Sequence, residues 1–304
     1  MSRDELKLEV KRLIADRGAL LGKELVDALP QAGFLDLWQA CFSDLEIHIS
    51  HFARYYLRYD KGRDDLVRLS PSILRDFLSF TLFSLAGQRE GVIERQVELS
   101  NLHREISLYK MRIASTVVSQ AFKLLTAEQR EQACAFIAGD LTYFLGHSEP
   151  REVAAIGELV RGSDIDIVIV HNGLGDDTVA MLDQHMLGAK SYYLNHPDHR
   201  QELDFVCKPL ERMFAQFGYS DIHEKIASKI FYESLFLGGS LELYEQIKQE
   251  LERSGAHAAI EADFEYAIAE RKRAMRTLLK TDPAQLDKTT ETLFYFSQER
   301  VEFQ

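Results

Sequence analysis

Three cysteines in 304 residues, Cys41, Cys134 and Cys207, are too few and too scattered for a disulfide framework or a thiolate metal site. They read as buried thiols in a reducing cytoplasm. Proline is scarce at 6 residues, which favours long helices. No apolar run reaches the roughly 20 residues that a membrane span needs. The opening Met1-Ser2-Arg3-Asp4-Glu5 lacks a leader pattern, so a cytoplasmic protein without a membrane partner is expected. Positive charge is also short: 36 Lys and Arg against 48 Asp and Glu leave a net −12. A protein that grips a long nucleic acid shows a basic stripe. The one basic cluster, Arg271-Lys272-Arg273 with Arg276 and Lys280, shares its helix with Glu265 and Glu270 and reads as a solvated face. The charge balance points to a protein or small-molecule acceptor rather than nucleic acid. There is no Walker loop, dinucleotide fingerprint or Ser-His-Asp order.

What is present is a hydrophobic content of 46%, enough for two or three subdomains, and one dense motif. Gly162-Ser163-Asp164-Ile165-Asp166 runs directly into Ile167-Val168-Ile169-Val170. The β-branched run predicts a strand, on which side chains alternate, so Asp164 and Asp166 share a face. Two carboxylates held that close repel unless a cation lies between them, and hard oxygen ligands suit Mg²⁺. Asp176 to Leu194 reads as a helix with Val179, Leu182, Met186 and Leu187 on one stripe. Leu203-Asp204-Phe205-Val206-Cys207 then offers a third acid inside a short apolar run. Two readings of it stay open: a strand that brings Asp204 to the first two acids, or a helix from Glu202 through Phe214 with Leu203, Val206, Leu210 and Met213 inward, which leaves Asp204 solvated.

An Asp-x-Asp opening a buried strand, followed by helix, strand and a third acid, resembles the polymerase-beta-like nucleotidyltransferase superfamily. Phe236-Leu237-Gly238-Gly239-Ser240-Leu241-Glu242-Leu243-Tyr244 is similar to the segment after the core in that superfamily's signal-transduction branch. That branch includes the protein-PII uridylyltransferase and the glutamine-synthetase adenylyltransferase. The chain departs from the branch with Ser240 in place of an acid and Leu235 where a basic residue is frequent. The resemblance spans about residues 140 to 255. It implies an α+β fold with a small mixed sheet and a nucleoside triphosphate substrate such as ATP. It also implies Mg²⁺ or Mn²⁺ on Asp164, Asp166 and Asp204, with transfer of a nucleoside monophosphate to a hydroxyl, most naturally on a protein. A non-catalytic nucleotide sensor and a transferase acting on RNA 3′ ends are the alternatives.

The resemblance further implies a Gly-Ser turn that holds the terminal phosphates. Gly146-His147-Ser148 is the candidate, with one residue inserted; Gly157-Glu158 is a second, and Gly162-Ser163 lies beside the acids. Gly146 to Ser148 reads equally well as a helix terminator. Arg151, Arg161, Lys208, Lys225 and Lys229 are candidate phosphate partners. Lys225 and Lys229, four apart on one helix face, also fit a solvated surface. His196-Pro197-Asp198-His199 lacks a clear third ligand and reads as ordinary polar loop.

Three segments are expected: a helical domain over 1–140, regulatory or dimerising; a nucleotidyltransferase core over 141–210; and a helical bundle over 211–304. Phe34 to Tyr56 reads as one helical segment. Leu99, Leu102, Ile106, Tyr109 and Ile113 follow heptad spacing, suited to a hairpin arm or the seam of a homodimer. Thr126 caps a helix expected to run through Ala133, Phe136 and Ile137 toward Phe144. Val153 to Val160 reads as a strand. Ile226, Ile230, Phe231 and Leu235 form a helical stripe ended by Gly238-Gly239. Ser240 caps Leu241 to Leu251, and helices fill 256–280 and 284–301.

Overall fold

Alternation along two strands builds the sheet that carries the acids. In strand β1, Ala133–Ala138, and strand β2, Ile165–His171, alternate side chains enter different cores. Ala133, Ala135, Ile137, Ile165, Ile167 and Ile169 pack against Val117, Val118 and Ala121 of helix α1, Arg89–Lys123, and against Leu182 and Met186 of helix α2, Asp176–Asn195. Cys134, Phe136, Val168 and Val170 face the other way, against Met213, Phe217, Phe231, Ile247 and Leu251. Burial on both faces explains why these strands read as unbroken apolar runs. Each fully buried Ile or Phe contributes about 1.5–3 kcal/mol.

The computed structural model describes residues 2–59, 67–153 and 158–295. The fold is α+β. Strand β3, Leu203–Pro209, lies parallel to β2; β1 is antiparallel to β2; and strand β4, Leu235–Gly239, is antiparallel to β1, giving the mixed order β3-β2-β1-β4. Helix α3, Ile222–Tyr232, and helix α4, Leu241–Arg253, cover the second face. Asp221 caps α3 and Ser240 caps α4 through side-chain oxygens, as their residue types favour.

Several expectations are corrected. The helix expected over Ala133 to Phe144 is strand β1 followed by a short 3₁₀ turn, Asp140–Tyr143; the helix begun at Thr126 stops at Glu131. Leu235 belongs to β4, because α3 ends at Tyr232. The helix expected from Phe34 stops at Ser43, and His48–His51 is a strand. Of the strand expected over Val153 to Val160, the described residues belong to two antiparallel strands, Pro150–Val153 and Glu158–Arg161, and 154–157 lie outside the described residues. Gly157 of the second turn candidate and the end of the last expected helix lie outside the described residues.

The compaction is discontinuous in sequence, unlike the three contiguous segments expected. One unit comprises 1–56, 68–102 and 265–304; the other comprises 57–67 and 103–264 and holds the four-stranded sheet. The first unit has its own core around Val10, Ile14, Leu37, Trp38, Phe77, Phe83, Leu278 and Phe294. It includes a three-stranded sheet of Leu20–Leu21, Thr81–Ser84 and His48–His51. No helix among the described residues is long and apolar enough to cross a membrane.

Candidate metal and phosphate site

Register decides the site. Asp204 on β3 lies directly opposite Asp166 on β2, so both carboxylates leave the same face of neighbouring strands. Asp164 precedes β2 by one residue. Carboxylate oxygens of Asp164, Asp166 and Asp204 all lie within 4.8 Å of one another. The strand reading of Leu203–Cys207 therefore holds, and the helical alternative, which solvates Asp204, does not. Lys190 of α2 donates to Asp204 Oδ1.

Two further acids join the three. Asp140 follows Gly139 at the end of β1, where Ala138 lies opposite Asp166. Glu233 follows α3; its Oε1 accepts from Gly139 N–H at 3.1 Å and from Lys229 Nζ at 2.7 Å. Its buried Oε2 has no hydrogen-bond partner among the described residues. Burial, then the charges of Asp164, Asp140, Asp204 and Glu233, push the Asp166 carboxyl up to about 8. Gly139 has φ +82, and a β-carbon there would sit 3.0 Å from Asp166 Oδ2, so conformation and close approach both require glycine. Asp140 and Glu233 were missed because neither belongs to a local motif. The apolar run Ala133–Ala138 bounded by Gly139 was the available signal for a buried strand ending at the site.

The loop before β2 is held from behind. Gly162 has φ +63, and a β-carbon on it would lie 1.7 Å from His147 O. Ser163 N–H donates to His147 O at 3.2 Å, and Gly162 N–H donates to Glu149 O at 3.0 Å. The Ser163 hydroxyl donates to Asp140 Oδ2 at 2.5 Å. The structure thus brings the 147–149 backbone against Gly162-Ser163. Gly146 turns instead toward α1: its N–H donates to Ser107 Oγ at 2.9 Å and its carbonyl contacts His103 Nδ1. Ser148 is exposed.

Lys110 of α1 is almost fully buried and sequence reasoning missed it. Its ammonium donates to Arg161 O and Ser163 O, each at 2.7 Å, and to Gln201 Oε1. It fastens the turn that aims Asp164. Lys110→Met is expected to cost about 1–3 kcal/mol, the penalty for stranding a buried acceptor. A thermal melt measures this; unchanged stability would mean that the turn holds itself.

The remaining basic candidates divide. Lys229 reaches the site through Glu233. Lys225 pairs with Asp263 at 3.7 Å and lies over the Tyr219 ring. Lys208 sits opposite Val170, far along β3 from the acids, and donates to Gln216 at 2.7 Å. Burial, then Arg212, lowers its pKa to about 8. Arg161 is exposed, and the Arg151 side chain lies outside the described residues.

The donor set suits a hard divalent cation: three carboxylates of one sign converge, with mutual repulsion that a cation relieves. No family model matches the chain, and no curated protein sequence matches it.

Proposed function

We propose that this chain transfers a nucleoside monophosphate from a nucleoside triphosphate such as ATP to a hydroxyl acceptor, in the manner of the polymerase-beta-like nucleotidyltransferases. One observation carries the reading: Asp166 and Asp204 stand in register on parallel strands joined through a single helix, with Asp164 beside them. The likeness to the signal-transduction branch, and a protein as the acceptor, belong to the same proposal; the net charge of −12 supports a protein over a long nucleic acid.

Asp164, Asp166 and Asp204 would hold Mg²⁺ or Mn²⁺. When bound, such a cation neutralises phosphate charge and lowers the pKa of a hydroxyl. Gly139, lacking a side chain, leaves the approach to Asp166 open. Gly162 and Ser163, fixed by Lys110 and Asp140, hold the direction of Asp164. Lys229 places its charge beside Glu233.

The test is incubation with α-labelled nucleoside triphosphate and Mg²⁺, with and without cell lysate. The expected result is pyrophosphate release and label on an acceptor, both lost in Asp164→Ala. Equal behaviour of wild type and Asp164→Ala would overturn the reading. A second reading, nucleotide binding without turnover, follows from the departure of Gly146-His147-Ser148 from a Gly-Ser turn, its Gly146 N–H being held by Ser107 Oγ and so unable to align a terminal phosphate; calorimetric binding with no pyrophosphate would select it.

A homodimer through the stripe on α1 completes the proposal. Leu99 and Ile113 of the expected stripe are buried in the chain's own cores, which leaves the half-exposed Leu102 and the neighbouring Ile106 for a partner. Leu102→Glu with Ile106→Glu is expected to give a folded monomer by light scattering. A wild type already monomeric at high concentration would remove the dimer.

A further inference from the structure

The four-stranded sheet has two edges, and they differ in protection. Edge strand β3 carries Asp204 and Lys208 and ends in Pro209. Charge and proline are devices that keep an edge from pairing with another chain. Edge strand β4, Leu235-Phe236-Leu237-Gly238-Gly239, carries neither. No strand among the described residues pairs with its outer side. Leu235 is 42% exposed, and Gly239 at the other end is exposed too. The register with β1 shifts between Phe236 and Gly238, and such a bulge bends the strand. The bend opposes edge-to-edge pairing of two whole sheets, as in two copies of this chain, but a single short strand can follow it.

Beside that edge lies an open groove of about 520 Å³. Leu237, Gly238 and Gly239 of β4 form one wall. The other is a face of α1 on which Ser115, Ser119 and Lys123 recur every fourth residue, all three exposed. The two small serines and the two glycines leave room for the side chains of a strand laid along β4. The groove is cationic. Lys123 and Arg130 line it against one acid, Glu131, and helix α4 begins there at Ser240. A helix start adds partial positive charge. In a chain of net −12 this is a local reversal of sign. Edge, groove and cations all belong to the unit formed by 57–67 and 103–264.

We infer that β4 docks an extended segment of a protein partner, which adds a fifth strand to the sheet and sets an acidic side chain against Lys123 and Arg130. Main-chain hydrogen bonds give such a complex its affinity, and alternate side chains give it selectivity. Strand β4 runs from one end of the sheet to the other. Gly239, opposite Cys134, lies at the groove. Leu235, opposite Ile137, lies at the end where Gly139 meets Glu233 and Ala138 faces Asp166. A docked segment therefore continues, past Leu235, toward the end of the sheet that carries the acids. That the docked protein is also the acceptor rests on the transferase reading; the docking itself does not.

The probes are two fluorescein-labelled peptides of alternating Thr and Val, one with its Glu residues at the amino end and one at the carboxyl end, to suit either strand direction. Anisotropy without nucleotide or Mg²⁺ measures binding, and hydrogen exchange locates it. One peptide is expected to bind and to slow exchange at amides within Leu235–Gly239. N-methylation of one alternate set of its amides should weaken binding about tenfold and of the other set leave it unchanged, because only every second amide faces β4. Lys123→Glu with Arg130→Glu, on exposed side chains, should also weaken binding about tenfold with an unchanged melting curve. No binding by either peptide at about 1 mM, equal loss from both methylated sets, or protection confined to other segments would overturn the dock. So would β4 amides already protected in a wild-type dimer and released on dilution, which would assign the edge to a second copy. Peptide binding at β4 with no pyrophosphate release from nucleoside triphosphate and Mg²⁺ would keep the dock and remove the transferase. Pyrophosphate release by a protein whose β4 amides stay unprotected by either peptide would do the reverse.

Discussion

Asp166→Asn is expected to abolish the proposed transfer while stabilising the metal-free protein. The carboxyl stands among Asp164, Asp140, Asp204 and Glu233, and burial together with those charges pushes it up to about 8. At neutral pH the fold must hold this carboxyl largely protonated, whereas the unfolded chain ionises it freely, and asparagine keeps the shape without that cost. A gain of about 1 kcal/mol corresponds to roughly 2–4 °C in Tm for a unit of this size. Activity moves the other way. Loss of a cation's charge stabilisation amounts to several kcal/mol, and about 1.4 kcal/mol is a factor of ten, so a fall of at least about a thousandfold is expected. Mg²⁺ should raise the Tm of wild type and leave the variant nearly unmoved, because only a ligand bound by the native state shifts the equilibrium. A variant that melts lower than wild type without metal, or responds equally to Mg²⁺, would show that these acids are a structural network.

Arg271→Gln is expected to cause the largest loss of stability, about 3–5 kcal/mol, the usual cost of leaving a buried charge without its partner. Arg271 Nη2 donates to Asp76 Oδ2 at 2.6 Å and Nη1 to Pro71 O at 2.6 Å, while the guanidinium lies 4.4 Å from the Tyr55 ring centroid. Tyr55 Oη donates to the same carboxylate at 2.8 Å, and His51 Nδ1 lies 2.7 Å from Oδ1. Burial by itself would raise the Asp76 carboxyl. The His51 contact and the Arg271 charge outweigh it and hold the group below its ordinary value.

The pH dependence follows from that sign. With the folded value depressed, the network's contribution is complete above the unfolded aspartate value of about 3.9 and is lost as pH falls through the lower folded value. Without the Arg271 charge the folded value moves up toward the unfolded one, so the variant loses less of this contribution on acidification. The stability gap between the two proteins should therefore narrow as pH falls below about 4. Denaturant titrations at pH 7 and pH 3.5 measure it. A gap constant with pH would place the cost in lost packing of the Arg271 stem.

Local pattern carried much of the fold. Asp176–Asn195 was legible as a helix from its apolar spacing, and Ile165–His171 as a strand from its β-branched run. The cap at Ser240 was legible from residue type. Ala133–Ala138 was misread because a continuous apolar run suits a helix as well as a strand covered on both faces, and the nearby cap at Thr126 pointed to helix. Leu235 was misread in the same way: its spacing continued the α3 stripe, whereas antiparallel pairing with Ile137 drew it into β4.

The Asp164–Asp166 pair and the face they share are a local matter, since a two-residue period needs no other part of the chain. The partners of the pair came from folding. Asp204 became the third acid through its register with Asp166, and a one-residue slip would have turned it to the opposite face. Asp140 and Glu233 entered through sheet pairing and through one hydrogen bond to Gly139. Lys110 reached Ser163 across 53 positions, and Arg271 reached Asp76 across 195. Such contacts are selected by the burial of charge, and no local spacing encodes which distant group will satisfy it.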